Sequence, residues 1–260
     1  MKTSRTPLRK VLAGAVLLLA LAGCGDPTFL VDTSFGSARL GGRYAPPSEL
    51  ASSKGVLPLE GETLARGLLL VPETYQPGTP AALVVLLHGA RGNPEGILTL
   101  LRKHADATGT LVLAPKSAGS SWDMLAAERY GVDVAFLDGA LARVFREYSV
   151  DPERITLGGF SDGATYALSV GLTNGDLFHR IAAFSPGGVV ASELQGKPRV
   201  FVSHGTLDAV IPIDVGGRYI TEQLRKEDYP VDYREFEGPH SVPDDISRDG
   251  FTFLVGSAAP

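Results

Sequence analysis

Short apolar runs alternate with longer stretches of helical periodicity along most of this chain. Residues 81–87 and 110–114 are continuous apolar runs, the pattern of strands that are buried on both faces of a sheet. Residues 96–107 and 132–148 instead repeat apolar side chains at helical spacing. This alternation predicts β-α-β units, and therefore an α/β fold with a mostly parallel central sheet and helices on both faces.

The alternation continues to the C-terminus. Further strands are expected at residues 155–159, 181–184, 199–203 and 231–236, and residues 66–71 form another short apolar run. Further helical segments are expected at 164–173, 216–226 and 251–255. Ligands of such sheets bind beyond the C-terminal ends of the strands, so the polar residues that directly follow strands are the candidates for chemistry.

The N-terminus has the pattern of a targeting segment. A basic start is followed by the uncharged apolar run 11–22, which as a helix would rise only about 18 Å and is too short for a bilayer core of about 30 Å. We therefore predict a signal peptide over residues 1–23. Leu21-Ala22-Gly23-Cys24 resembles the lipobox of bacterial lipoproteins, in which the cysteine becomes the lipidated N-terminus. The alternative is a plain secretory signal that ends at a cysteine.

Composition refines this division of the chain. Residues 25–54 are rich in Gly, Ser, Pro and Thr with weak periodicity, so we predict a lipid-anchor cysteine and tether over 24–60 and a catalytic domain over 61–260. The net charge of −5 gives no basic surface for nucleic acid. Because Cys24 is the only cysteine, no intramolecular disulfide and no cysteine-based metal site can form.

The strongest motif is Gly159-Phe160-Ser161-Asp162-Gly163, which lies between a predicted strand and a predicted helix. This is G-x-S-x-G in the strand–turn–helix setting that presents a nucleophilic serine on a tight turn. The glycines remove side chains that would collide with the neighbouring backbone. The alternative is a glycine-rich connector in which Ser161 only caps the helix.

A serine nucleophile needs a base and an acid that orients the base. In this strand–turn–helix setting the acid and then the histidine follow the serine in the chain. Of the five histidines, His240 is the last and lies in a loop after strand 231–236, so we predict it as the general base and assign structural roles to the other four. Asp208, a few residues after strand 199–203, is the predicted acid, whereas Asp214 is expected to cap the helix that starts near residue 216.

The negative oxygen of a tetrahedral intermediate needs two backbone N–H donors. Asp162, directly after the nucleophile, is expected to supply one of them. Ala90 is expected to supply the other, because His88-Gly89-Ala90-Arg91-Gly92 follows the strand 81–87.

Taken together and in order, four stretches resemble the phospholipase/carboxylesterase family of α/β-hydrolases, which includes the acyl-protein thioesterases. They are residues 88–92, 159–163, 204–212 and 238–240. They are also similar to secreted esterases of the polyhydroxybutyrate-depolymerase and feruloyl-esterase type. The resemblance covers about residues 65–255 and implies an α/β-hydrolase fold, a serine esterase without metal or organic cofactor, and a triad of Ser161, Asp208 and His240. Thioesterase members often have Gln where this chain has Asp162, and the depolymerases usually carry disulfides.

These observations predict a serine hydrolase that cleaves small carboxylic esters through an acyl-enzyme. Because no long insertion precedes the acid, we expect short to medium acyl chains. A thioesterase or peptidase with the same triad, and a non-catalytic binding lipoprotein on this scaffold, are the alternatives. We further expect a monomer in the bacterial cell envelope, outside the cytoplasm, that contacts the membrane through its lipid anchor and does not bind nucleic acid.

Overall fold

One eight-stranded sheet organises residues 30–60 and 66–256, the part of the chain that this computed structural model describes. The strands are β1 (Gly55–Glu60), β2 (Arg66–Val71), β3 (Ala81–Leu87), β4 (Leu111–Lys116), β5 (Val150–Phe160), β6 (Arg180–Phe184), β7 (Arg199–Gly205) and β8 (Val231–Phe236). The helices are α1 (Pro94–Thr108), α2 (Asp123–Ala127), α3 (Val132–Glu147), α4 (Asp162–Thr173), α5 (Gly217–Lys226) and α6 (Asp244–Val255), with a 3₁₀ turn at Thr33–Phe35.

The strand order β1-β2-β4-β3-β5-β6-β7-β8 places a switch point at the centre of the sheet. β1 and β2 are antiparallel to their neighbours, and all other pairs are parallel. The chain moves from β3 outward to β4 and returns to the other side of β3 as β5. Since ligands bind at such a reversal, beyond the C-terminal ends of the strands, the turns after β3 and β5 are the places to examine.

Strand β3 shows why the central runs are apolar throughout. Leu83, Val85 and Leu87 lie in one buried core, which the helices α3, α4 and α5 cover. Val84 and Leu86 point to the opposite face and lie in a second core under α1 and α6. Successive side chains of a strand face opposite sides of the sheet. A strand that helices cover on both faces is therefore apolar at every position.

The segment 30–60 is more closely packed than its composition suggests. Leu30 is fully buried, Val31 forms a bridge with Ala191, and the N–H of Leu40 donates to the Asn174 side chain at 2.9 Å. β1, at the end of this segment, pairs with β2. The fold therefore begins before residue 61, where the sequence placed the start of the domain. The predicted signal peptide and Cys24 lie outside the described residues.

None of the helices in 30–60 and 66–256 combines the length and the apolar character that crossing a bilayer requires.

Candidate active site

Ser161 occupies the sharp turn that joins β5 to α4. Its backbone has φ 58° and ψ −122°, a conformation that a residue with a side chain seldom adopts. The Ser161 N–H donates to the carbonyl oxygen of Phe184 on β6 at 2.9 Å, which ties the turn to the neighbouring strand. Strain of this kind persists only where the surroundings impose it, and such positions concentrate at functional sites.

The two glycines of the motif are required by close backbone contacts. A Cβ atom on Gly159 would lie 2.2 Å from the carbonyl oxygen of Gly163. A Cβ atom on Gly163 would lie 2.3 Å from the carbonyl oxygen of Leu87, at the end of β3. Both distances are far inside van der Waals contact, so the turn after β5 can pack against the end of β3 only with glycine at these positions.

The structure brings Ser161, His240 and Asp208 together from three separate loops. His240 follows β8, and its Nε2 lies 2.9 Å from Ser161 Oγ. Asp208 follows β7, and its Oδ2 lies 2.6 Å from His240 Nδ1. An ionised carboxylate can only accept, so Nδ1 carries the proton and Nε2 is free to accept the hydroxyl proton of Ser161. This is the order and tautomer that a nucleophile, base and orienting acid need.

Asp208 is held as a carboxylate. It is 7% exposed, and its Oδ1 accepts the N–H groups of Val210 at 2.9 Å and Ile211 at 2.8 Å. Burial by itself raises the pKa of Asp208, but the hydrogen bonds from Ile211, His240 and Val210 outweigh it and hold the pKa below its usual value. The negative charge beside His240 is therefore present throughout the neutral pH range.

The two predicted oxyanion donors flank the serine. Gly89 approaches so closely that a Cβ atom there would lie 3.2 Å from Ser161 Cβ, and Ala90 follows directly. The N–H of Ala90 makes no hydrogen bond within the described residues. Asp162 is the first residue of α4, and an N–H at that position has no acceptor inside its helix. Both donors are thus available to a ligand at Ser161.

The sequence did not reveal what holds these donors in place. Residues 120–122, in the loop after β4, form hydrogen bonds to the residues on either side of Gly89-Ala90 and to Asp162. Ser120 accepts the N–H of Arg91 at 2.6 Å, Ser121 Oγ donates to Asp162 Oδ2 at 2.5 Å, and Trp122 Nε1 donates to the carbonyl of His88 at 2.9 Å. In the sequence, the sign of this support was Trp122 in a predicted loop, and a tryptophan in a loop is as typical of core packing as of a functional site.

Two buried carboxylates hold the end of the loop that contains residues 120–122. The N–H of Asp123 donates to Asp133 at 2.7 Å, and the N–H of Asp133 donates back to Asp123 at 3.0 Å. Tyr166 on α4 donates its hydroxyl to Asp123 at 2.9 Å, and its ring stacks on Trp122 with centroids 5.0 Å apart. Burial raises the pKa of Asp133 to about 6, although hydrogen bonds from Ala118 and Asp123 partly oppose the shift.

Three of the other four histidines have side-chain partners other than Ser161. His88 and His204 are buried and bind backbone groups. His104 stacks on Phe251 with ring centroids 5.3 Å apart. Asp214 does not cap α5 as predicted, because Gly216 occupies the cap position and the exposed Asp214 carboxylate pairs with Arg218 at 2.8 Å.

Within residues 30–60 and 66–256, no three or more His, Cys, Asp or Glu side chains are grouped so that they could hold a metal ion.

Comparison with known proteins relates part of this chain to a family. Residues 138–254, which are 117 of the 260 residues, match the model of the phospholipase/carboxylesterase family. The matched segment contains Ser161, Asp208 and His240, whereas Ala90 precedes it. Among curated members of related families, the probable feruloyl esterase C of Aspergillus niger is 26% identical over 165 residues, which are 60% of this chain and 59% of the relative.

A second relative has a different named activity. The acyl-protein thioesterase 1 of Mycosarcoma maydis is 29% identical over 118 residues, covering 41% of this chain and 49% of the relative. The chain thus spans about three fifths or less of the length of these curated relatives. Among solved structures, esterase PE8 superposes with a TM-score of 0.59 at 25% identity, over 72% of this chain and 96% of PE8. The fold is that of the α/β-hydrolases.

Proposed function

We propose that this protein is a serine hydrolase that cleaves carboxylic esters through an acyl-enzyme intermediate. The observation that carries the proposal is the continuous hydrogen-bonded row from Ser161 Oγ through His240 to Asp208, with contacts of 2.9 Å and 2.6 Å. The row stands at the switch point of the sheet, beside two free N–H donors. The named activities of the relatives, feruloyl esterase and acyl-protein thioesterase, agree with hydrolysis of an acyl bond.

In the first half-reaction, Ser161 Oγ attacks the carbonyl carbon of the ester while His240 Nε2 takes the hydroxyl proton. The carbonyl π electrons move to the oxygen, and the N–H groups of Ala90 and Asp162 stabilise the negative charge that forms there. Asp208 stabilises the imidazolium. When the intermediate collapses, the C–O bond to the leaving alcohol breaks, and His240 returns the proton to that alcohol.

In the second half-reaction, water replaces the alcohol. His240 takes one proton from the water as its oxygen attacks the acyl carbon, and the same donors stabilise the second oxyanion. Collapse breaks the bond to Ser161 Oγ, which regains the proton from His240. The products are a carboxylic acid and the free enzyme, and no external oxidant, reductant or metal is needed.

The connections around the site favour small acyl groups. The link from β6 to β7 spans residues 185–198, and Asp208 comes three residues after β7. Links of this length leave no additional domain between β6 and the acid to cover the serine. We therefore propose short to medium acyl chains, a small-molecule ester as the substrate, and action as a monomer.

The cellular setting is a separate proposal, which is supported by the sequence motif at Cys24. We propose that Cys24 carries the lipid anchor of an envelope protein. Leu30 is buried in the domain only six residues later, so the intervening chain can span at most about 20 Å, and the domain would lie close to the bilayer. Mass spectrometry of the mature N-terminus tests this proposal, and an unmodified cysteine would contradict it.

The decisive experiment for the chemistry compares hydrolysis of p-nitrophenyl esters from C2 to C12 by residues 25–260 with that by Ser161→Ala. We expect the turnover of the wild type to fall as the acyl chain lengthens. Ser161→Ala should abolish turnover, whereas the exposed control Ser53→Ala should leave it unchanged. A fluorophosphonate probe should label the wild type at Ser161. Full activity in Ser161→Ala would refute the assignment, and absence of both labelling and turnover would favour the binding-lipoprotein alternative.

The same preparation separates the other hydrolases that share this triad. Acyl-CoA and peptide amides are assayed beside the esters, and kcat/KM is compared. An ester preference supports the proposal. Faster turnover of acyl-CoA would reassign the protein as a thioesterase, the activity that the name of one relative suggests.

A further inference from the structure

A second histidine contacts the carboxylate that we assign to the triad. His204, near the end of β7, is completely buried, and its Nε2 lies 3.2 Å from Asp208 Oδ2. This is the same oxygen that His240 Nδ1 contacts from the other side at 2.6 Å. His204 has no place in the reaction described above, although it is the nearest titratable side chain to Asp208 after His240.

The ring of His204 is held in a slot that only small residues can form. A Cβ atom on Gly216 would lie 2.7 Å from its Cε1, and a Cβ atom on Gly217 would lie 2.8 Å from its Cβ. These glycines lie at the N-terminus of α5, so the N-terminal end of that helix packs directly on the ring. The imidazole therefore has one fixed orientation.

The hydrogen bonds also fix its tautomer. The N–H of Gly217 donates to His204 Nδ1 at 3.1 Å, so Nδ1 has no proton and Nε2 carries one. Burial lowers the pKa of His204, so that the ring remains neutral near pH 7. The 3.2 Å contact with Asp208 therefore joins a neutral ring N–H group and a carboxylate oxygen. The other charged groups near the ring are His240 and Glu235, and Glu235, on β8, is paired with Arg218 at 2.7 Å.

The Nε2–H of His204 faces two acceptors that belong to one turn. It donates to the carbonyl oxygen of Ile211 at 2.9 Å, and Asp208 Oδ2 lies 3.2 Å from the same nitrogen. Ile211 in turn donates its N–H to Asp208 Oδ1 at 2.8 Å. Hydrogen bonds from His204 to Ile211 and from Ile211 to Asp208 thus hold both the turn and the carboxylate in place.

We propose that His204 is a positioning residue of the triad, which holds Oδ2 of Asp208 in line with Nδ1 of His240. The proposal rests on the function assigned above. His204 touches neither the substrate nor the hydroxyl of Ser161, and it acts through the acid. Its Nε2–H group, 3.2 Å from Oδ2, also offsets part of the negative charge that faces His240.

Two substitutions separate this role from packing. His204→Leu removes the donor, whereas His204→Gln retains an N–H donor near the position of Nε2. In His204→Leu we expect kcat to fall by roughly ten- to a hundredfold with little change in KM, the scale of a small misplacement of a reacting group. Asp208 would then present more charge to His240, so the acidic limb of the kcat/KM profile should move to higher pH. His204→Gln should retain most of kcat and keep the acidic limb of the pH profile at its wild-type position. The remote control His104→Leu should change neither kcat nor the position of that limb.

A readout without turnover keeps this test independent of the substrate. The low-field proton resonance of the Asp208–His240 hydrogen bond is recorded by NMR in folded wild type, His204→Leu and His204→Gln. We expect it to shift or vanish in His204→Leu and to persist in His204→Gln. An unchanged resonance and unchanged pH limb in His204→Leu would overturn the proposal. So would equal losses in both variants without a shift of the limb. If no ester is cleaved but the resonance responds as expected, only the proposed reaction fails.

Discussion

Replacing Asp208 with Asn should disable the site without changing its shape. The carboxylate accepts three hydrogen bonds: two backbone N–H groups reach Oδ1, and His240 reaches Oδ2. The Nε2–H of His204 also lies 3.2 Å from Oδ2. Every neighbour is a donor, so the NH₂ group of an asparagine has no acceptor in either orientation. Placed at Oδ2, it would face His240 Nδ1–H. The imidazole would then adopt the other tautomer, with its proton on Nε2, pointing at Ser161 Oγ.

The size of the effect follows from that tautomer. A base whose Nε2 is protonated cannot accept the serine proton, and the corresponding Asp→Asn change in a serine protease triad lowers kcat by about 10⁴. This corresponds to about 5 kcal/mol in the activation free energy. The unmatched NH₂ group should also lower the free energy of unfolding by about 1–3 kcal/mol. At roughly 2–4 °C per kcal/mol for a domain of this size, the melting temperature should fall by several degrees.

The assay is kcat/KM for a short p-nitrophenyl ester, measured between pH 5 and 9, together with thermal unfolding. The matched control is Asp214→Asn, because the Asp214 side chain is 77% exposed and pairs with Arg218 at the surface. We expect the control to retain wild-type activity and stability. If Asp208→Asn retained kcat within tenfold of wild type, the argument from tautomer fixation would be refuted.

Two further predictions follow from the surroundings of the site. Gly163→Ala should lower the free energy of unfolding by about 1–3 kcal/mol and abolish most esterase activity, because its Cβ would lie 2.3 Å from the Leu87 carbonyl oxygen. Gly139→Ala, in an exposed position of α3 with no atom within 4 Å, should be neutral or stabilising in the same denaturant assay. Burial raises the pKa of Asp133 from 3.8 to about 6, so the native state binds more protons than the unfolded state in that interval. The free energy of unfolding should therefore fall as the pH rises from about 4 through about 6, and Asp133→Asn should remove this pH dependence. A titration of the Asp133 carboxyl with a midpoint at or below 3.8 would contradict the prediction.

Much of the fold was predictable because the sheet is covered on both faces. β3 and β8 lie at the predicted residues, and β2 coincides with the apolar run 66–71. The other predicted strands and helices lie within two residues of their observed bounds, except that β5 begins at Val150 rather than 155 and α6 begins at Asp244 rather than near 251. Continuous apolar runs and helical periodicity are both strong signals in a buried parallel sheet. The turn at Ser161 was predictable for a different reason, since backbone contacts of 2.2–2.3 Å force glycine at two fixed positions.

The N-terminal part of the fold was not predictable from periodicity. Within residues 30–60, isolated apolar side chains such as Leu30, Phe35 and Leu40 pack on surface that distant segments provide. β1 alternates partly buried and exposed positions at the edge of the sheet and contains a proline, which weakens any strand signal. The support for the oxyanion donors by residues 120–122 was hidden in the same way, because it depends on hydrogen bonds between loops that are far apart in sequence.

Chain order favoured His240 over His204 as the base, and the structure shows that both rings nevertheless contact one acid. Each ring has one nitrogen within 3.2 Å of Asp208 Oδ2, but the two rings use different nitrogens. His240 uses Nδ1 and leaves Nε2 open towards Ser161. His204 uses Nε2, while its Nδ1 accepts from Gly217, so no ring nitrogen remains to take a proton. A base must have a free lone pair beside the nucleophile, and only His240 satisfies that condition. His204 can therefore influence the reaction only through the position and charge of the carboxylate it shares.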